Sequence, residues 1–270
     1  MRHLDHSIAL LQQAAAHAPA AFSTSLGLED MVLTDLIARH APSISLFTLD
    51  TGRLHGETLA LLAETEAHYK KRIAVFVPQT QALEHYIRLN GINGFYDSVS
   101  QRQDCCAVRK VEPLRRALTG KRAWVTGLRR EQAASRAALQ ESAFDAEYQL
   151  IKFNPLLDWT LADVEAYIAT HQVPVNRLHA QGYPSIGCAP CTRAIAPGED
   201  IRAGRWWWES ADKKECGLHV AAAQSARSVA YTRTQTSAQQ SAPPTAPPAA
   251  QTAAQTTAQT TAPSAEKVLT

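Results

Sequence analysis

The chain has 270 residues, 45% of them apolar and 19% charged, enough to bury one large core or two small ones and too apolar for a wholly disordered polymer. Its 27 Lys and Arg against 25 Asp and Glu leave a formal charge of +2, too small an excess to argue for nucleic-acid or membrane-surface binding from net charge. No apolar run approaches the roughly 20 residues of a bilayer-spanning helix, and Met1 to His17 lacks the apolar core of a secretion signal, so a cytoplasmic location is expected.

Along the chain, short runs rich in Val, Ile and Phe alternate with segments of helical period, the pattern of strands joined by crossover helices. Strands are expected at Ala20 to Ser23, Ser45 to Leu49, Ile73 to Val77, Ala123 to Gly127 and Leu150 to Phe153, forming a parallel sheet. Helices are expected at Glu29 to Arg39, Gly56 to Tyr69, Ala82 to Leu89, Val108 to Leu118 and Leu161 to His171. In the last of these Thr160 and Asp163 have the spacing of a capping box. From Gln235 to Thr270 nearly every residue is Ala, Thr, Gln, Pro or Ser, which cannot build a core. The organisation expected is a folded domain over 1–220 and a disordered tail over 221–270.

Three polar clusters follow predicted strands, where open parallel sheets gather ligands. Ser23-Thr24-Ser25-Leu26-Gly27 leads into a helix, so its hydroxyls and backbone N–H groups suit a phosphate or sulfate, or merely cap that helix. Leu49-Asp50-Thr51-Gly52-Arg53 is the second. The third, Thr126 to Arg136, carries Arg129, Arg130 and Arg136, which suit oxyanions or simply a solvated face. Neither a Gly-Lys-Ser/Thr Walker loop nor a Gly-x-Gly-x-x-Gly fingerprint occurs, which removes the main support for ordinary P-loop ATPases and nicotinamide dehydrogenases.

The five cysteines are absent from the first hundred residues, a poor disulfide framework. Cys105 and Cys106 are adjacent at an expected helix start, and Cys188 and Cys191 have metal-ligand spacing. Four thiolates from two segments suit zinc or an iron–sulfur cluster, the vicinal pair tilting towards the cluster; a Cys188–Cys191 redox disulfide is a third option. Cys216 stands apart in Lys213-Lys214-Glu215-Cys216-Gly217-Leu218-His219, where two lysines and a histidine favour thiolate, so it reads as a nucleophile or else an idle surface thiol.

Together Ser23 to Asp30, Leu49 to Arg53, both cysteine pairs, Arg202-Ala203-Gly204-Arg205-Trp206-Trp207-Trp208-Glu209 and the Glu215 to His219 ending closely resemble the assimilatory adenylyl-sulfate reductases, of the sulfonucleotide reductase family, over residues 20 to 219. The resemblance implies a single parallel-sheet, Rossmann-like α/β domain of the adenine nucleotide alpha hydrolase-like type, with helices on both faces. It implies a [4Fe-4S] cluster on Cys105, Cys106, Cys188 and Cys191, with Lys110 between cluster and substrate. Arg202 and Arg205 match arginines that face the phosphosulfate, and Ser23, Ser25, Gly27, Asp50 and Arg136 fall in nucleotide-contacting motifs. His219 belongs to the motif of the nucleophile and goes with Cys216 and Lys110 in the catalytic set.

The implied reaction is attack of the Cys216 thiolate on the sulfur of adenosine 5'-phosphosulfate, loss of AMP, and release of sulfite from S-sulfocysteine by thioredoxin or a similar dithiol. A thiolate nearing an anionic substrate meets repulsion of about 4 kcal/mol per unit-charge pair at an effective dielectric near 20, which Lys110, Arg202 and Arg205 would offset. The loop Ser25 to Asp30 lacks the Ser-Gly-Gly-x-Asp-Ser form of pyrophosphate-loop ATPases, so ATP hydrolysis and tRNA thiolation are disfavoured. The alternatives are a 3'-phosphoadenylyl-sulfate reductase or dual-substrate enzyme, and a non-catalytic zinc or iron–sulfur module that senses redox state. No nucleic-acid or membrane partner is expected, and a homo-oligomer is compatible with the chain.

Overall fold

The computed structural model describes residues 3–132 and 136–210; Cys216, His219 and the 221–270 tail lie outside the described residues. Six strands form one sheet: β1 (Ala20–Ser23), β2 (Ser45–Leu49), β3 (Ala74–Phe76), β4 (Ala123–Val125), β5 (Ser142–Asp145) and β6 (Leu150–Phe153). Their order is β3-β2-β1-β4-β6-β5. Four of the five pairings are parallel, and β5 runs antiparallel to β6, Phe144 facing Ile151. The purely parallel expectation is corrected at that edge. Ser142-Ala143-Phe144-Asp145 is exposed along most of its length and lacks the continuous apolar run that betrays a buried strand.

Helices α1 (Leu4–Ala16), α2 (Leu28–His40), α3 (Gly56–Tyr69), α4 (Thr80–Asn90), α5 (Val99–Cys106), α6 (Glu112–Leu118) and α7 (Leu161–His171) complete the domain. Alternating strand residues feed two cores, as a pleated sheet requires. Ala20, Phe22, Leu46, Ala123 and Val125 point to the face covered by α1, α2, α3 and α7, where Leu11, Leu33, Leu61 and Tyr167 are buried. Ala21, Phe47, Trp124 and Leu150 meet Leu114, Ala117 and Leu118 of α6 on the other. The α7 capping box forms, the Thr160 hydroxyl accepting from the Asp163 N–H and the Asp163 carboxylate accepting from the Thr160 N–H. Among the described residues no helix is long and apolar enough to cross a membrane.

The helix expected at Val108 to Leu118 begins differently. α5 runs through Cys106 into a π-helical stretch, Ala107–Val111, and then into α6. Cys105 and Cys106 therefore sit inside a continuous helical run and not at a helix start, so the positive end of a helix dipole is not available to them. The wide turn carries Arg109 and Lys110, and such bulges mark places where a helix re-aims side chains.

Candidate active site

β1, β2 and β3 step one way along the sheet and β4 returns to the opposite side of β1, making the carboxyl ends of β1 and β4 the switch point at which α/β sheets open a crevice. A cavity of about 280 Å³ stands there. Ser23, Ser25, Gly27, Lys110, Arg136, Arg202 and Arg205 all line it, so the structure brings together residues from position 23 to position 205 of the sequence. Asp50 does not line it: its carboxylate accepts the Gly52 N–H at 2.8 Å and shapes the turn from which the adjacent Thr51 reaches the cavity.

The loop after β1 is locked internally. Gly27 is the N-cap of α2 and no side chain caps that helix. Instead the Asp30 carboxylate accepts both the N–H and the hydroxyl of Ser25, each at 2.6 Å, and the Thr24 hydroxyl accepts the Leu26 N–H. Burial pushes the Asp30 carboxyl up to about 6, with the Ser25 hydrogen bonds opposing the shift. A Cβ on Gly127, opposite, would overlap the Asp30 carboxylate, so that approach requires glycine. Ser23 accepts the Trp124 indole N–H at 2.8 Å.

Two of the three arginines after β4 are held in ion pairs, Arg129 of them on the cavity wall. Arg129 is buried and pairs with Glu29 at 2.9 Å and Glu131 at 2.7 Å, and Arg130 pairs with Asp158 and two backbone carbonyls. Arg136 lines the cavity and donates to Gln132. His179 was not expected here; its Nδ1 donates to the Tyr183 carbonyl at 2.8 Å, and burial lowers its pKa.

A second, smaller cavity of about 20 Å³ lies alongside, lined by all four paired cysteines. Lys110, Cys188 and Trp206 line both cavities and so stand in the wall between them. The described cysteines are free thiols. Burial raises the Cys105 thiol, with Arg109 opposing, and pushes Cys191 up to about 12 with Cys188 adding to the rise. At Cys188 burial also acts to raise the pKa, but Lys110, the Thr51 hydroxyl at 3.2 Å, Arg205 and Arg109 outweigh it, and the thiol falls below its ordinary value. Arg102 hydrogen-bonds Cys106. Sulfur donors with cations and hydroxyls aimed at them fit a thiolate-held cofactor in donor chemistry. The thiols surround one cavity without converging on a point: among the described residues no three His, Cys, Asp or Glu side chains are set to ligate a single ion.

The segment after Cys191 closes the site. Thr192 bridges Arg205, and the Trp206 N–H donates to the Cys191 carbonyl at 3.2 Å. Arg205 donates to the Ile186 carbonyl and stacks over Trp206, with its guanidinium filling the space that a Cβ on Gly187 would take. Glu209 accepts two bonds from buried Arg102, at 2.6 and 3.0 Å, tying this segment to the helix that bears Cys105 and Cys106.

Residues 19–194 match the model of the phosphoadenosine phosphosulfate reductase domain. The chain belongs to that family. Among its relatives, the adenosine 5'-phosphosulfate reductase of Allochromatium vinosum is 59% identical over 198 residues, 73% of this chain and 77% of that protein. That of Burkholderia cepacia is 54% identical over 211 residues, 78% and 84% of the two chains. The phosphate complex of the phosphoadenylyl-sulfate reductase from Candida auris superposes with a TM-score of 0.60 at 28% identity, covering 72% of this chain and 97% of that one. A phosphosulfate-reductase relationship supplies a use for a cationic cavity at a sheet switch point, and these relatives are oxidoreductases acting on sulfur.

Proposed function

We propose that this chain reduces adenosine 5'-phosphosulfate to sulfite and AMP in assimilatory sulfate reduction, in the cytoplasm, with electrons from thioredoxin or a similar protein dithiol. The observation that carries the reading is the shared wall: Lys110 and Cys188 border both the switch-point cavity and the cavity of four thiols. The nucleotide would occupy the larger cavity against Ser23, Ser25, Gly27 and Arg136, with its phosphosulfate towards Lys110, Arg202 and Arg205. Five cations line that cavity; Arg129 is paired with Glu29 and Glu131, and Lys110, Arg136, Arg202 and Arg205 would offset the repulsion between a thiolate and an anionic substrate.

Cys216 is the nucleophile in this reading, with His219 in its motif. Its sulfur forms a bond to the sulfate sulfur as the bond to the phosphate oxygen breaks, and AMP leaves with that electron pair. Cys105, Cys106, Cys188 and Cys191 would hold a [4Fe-4S] cluster, which when bound supplies a buried charge beside Lys110. This chain's own part is to keep Lys110 on the π turn, between thiols and substrate, and to hold Arg205 by the Ile186 carbonyl and the Trp206 ring.

The Allochromatium vinosum and Burkholderia cepacia relatives carry adenosine 5'-phosphosulfate in their names, while the family model and the Candida auris neighbour carry the further phosphorylated nucleotide. Sulfite release from the two nucleotides, measured side by side with thioredoxin, tests the assignment. Preference for adenosine 5'-phosphosulfate is expected; equal or reversed preference overturns the substrate, and full release by Cys216→Ser overturns the mechanism.

A further inference from the structure

The wall of the thiol cavity continues outward into an aromatic cluster whose outer members lie off both cavities. Phe95 is buried and lines the thiol cavity, and the Tyr96 hydroxyl donates to the Pro190 carbonyl, between Cys188 and Cys191, at 2.8 Å. Trp208 packs edge-on to Tyr96 at 4.5 Å and to Trp207 at 4.9 Å between ring centroids, and Arg53 lies over Phe95. Tyr96 and Trp207 are each 40% exposed, and Ile92, just before this turn, is 61% exposed. Rigid, half-exposed Tyr and Trp rings are the residue types that anchor protein interfaces. None of Ile92, Tyr96, Trp207 or Trp208 lines the nucleotide cavity, so this face is left for the other participant in the reaction.

We propose that the Ile92, Tyr96 and Trp207 face is where the protein dithiol docks. The inference rests on the reading of Cys216 as the nucleophile. Ser210 is anchored beside the patch by the Glu209 to Arg102 pair, and Cys216 follows six residues later, within about 20 Å of Ser210 even if fully extended. A reductant that meets the Cys216 sulfur must therefore contact it inside that radius; Trp207 is only three residues before Ser210, and the Tyr96 ring is 6.4 Å from the Trp207 ring. From the docked reductant one thiolate attacks the Cys216 sulfur, forming an S–S bond as the bond to the sulfonate breaks and sulfite leaves with the electron pair. The second reductant thiolate then displaces Cys216 as thiolate, leaving the reductant as a disulfide, so its two electrons balance the reduction of sulfonate to sulfite.

Trp207→Ser and Ile92→Ser, each made in the full chain, separate docking from chemistry. Three rates are compared with the unmutated protein: formation of the Cys216 adduct on mixing with adenosine 5'-phosphosulfate, sulfite release by dithiothreitol, and sulfite release by thioredoxin. The KM for thioredoxin is expected to rise at least about tenfold, the equivalent of 1.4 kcal/mol of lost contact, with the other two rates within about twofold. An unchanged thioredoxin KM overturns the proposal. So does a parallel fall in all three rates, which would assign the patch to the chain's own 211–220 segment. In the unmutated protein, a thioredoxin stripped of its second cysteine should trap the mixed disulfide and slow amide exchange in residues 92–96 and 205–209; exchange unchanged there also refutes docking. A protein that forms no adduct at all removes the proposed function, and this inference with it, whereas an adduct with no patch effect removes the inference alone.

Discussion

Glu209→Ala isolates the latch between the closing segment and the cysteine-bearing helix. The side chains of Arg102 and Glu209 are 1% and 4% exposed, and they share two hydrogen bonds at 2.6 and 3.0 Å. Removing one partner of such a buried pair strands the other charge and costs roughly 3–5 kcal/mol. Arg102 keeps the Trp206 ring, 4.7 Å below its guanidinium, and the Cys106 thiol, which places the expected loss near the lower end, about 3 kcal/mol. With a urea m-value of about 3 kcal/mol/M the unfolding midpoint should fall by about 1 M, read by tryptophan fluorescence. Arg102→Met with Glu209→Met buries no charge and should recover most of that loss. A single substitution costing under about 1 kcal/mol, or a double variant no better than the single one, would refute the assignment of this pair as the latch.

Asp30 gives a pH signature. Its folded pKa of about 6 lies above the roughly 4 of an unfolded aspartate, so the folded chain binds this proton more tightly. The resulting stability, about 3 kcal/mol, is whole below pH about 4 and is lost as pH rises through about 6. The stability difference between the unmutated chain and Asp30→Asn, followed by urea unfolding, should therefore fall between pH 4 and 7; a flat difference contradicts it. Lys110→Met removes the cation that borders both cavities and should lower kcat/KM for sulfite release about 10- to 100-fold, the weight of one charge-assisted hydrogen bond; a change under threefold speaks against its role. Gly127→Ala drives a methyl into the Asp30 carboxylate and should destabilise the domain by about 1–3 kcal/mol while weakening AMP binding by calorimetry. Unchanged stability and affinity would place that loop away from the ligand.

The parts of the fold legible in the sequence are those whose local pattern and tertiary role agree. β1 and β2 match their expected bounds because mostly buried parallel strands read as apolar runs, β6 matches although Ile151 and Lys152 are half-buried, α3 matches on its apolar period alone, and α7 matches because apolar period and cap coincide. α1 escaped because Asp5 and His6, with His3 and His17 at its two ends, mask a stripe in which Leu10, Leu11 and Ala14 are buried. The antiparallel β5 escaped because its stability comes from pairing with β6 and its own residues are mostly exposed.

At the site, paired cysteines and polar loops after strands were visible as residue types at known spacings. Their partners were not, because contacts between distant segments leave no local pattern. Arg129 lines the cavity but is paired there with Glu29, and Asp50 accepts the Gly52 N–H beside it, neither of which the residue types alone disclose. His179, in a short 3₁₀ turn, had no motif to announce it. The resemblance singled out Arg202 and Arg205, while the reason Arg205 can reach the cavity is the missing side chain at Gly187.

The account turns on covalent chemistry at Cys216, and intact-protein and peptide mass spectrometry after mixing with adenosine 5'-phosphosulfate without reductant tests it most directly. An increment of about 80 Da, the mass of SO3, on the peptide containing Cys216, lost with sulfite release when thioredoxin is added, is the predicted result. Steady turnover with thioredoxin but no increment on that peptide at any time would contradict it.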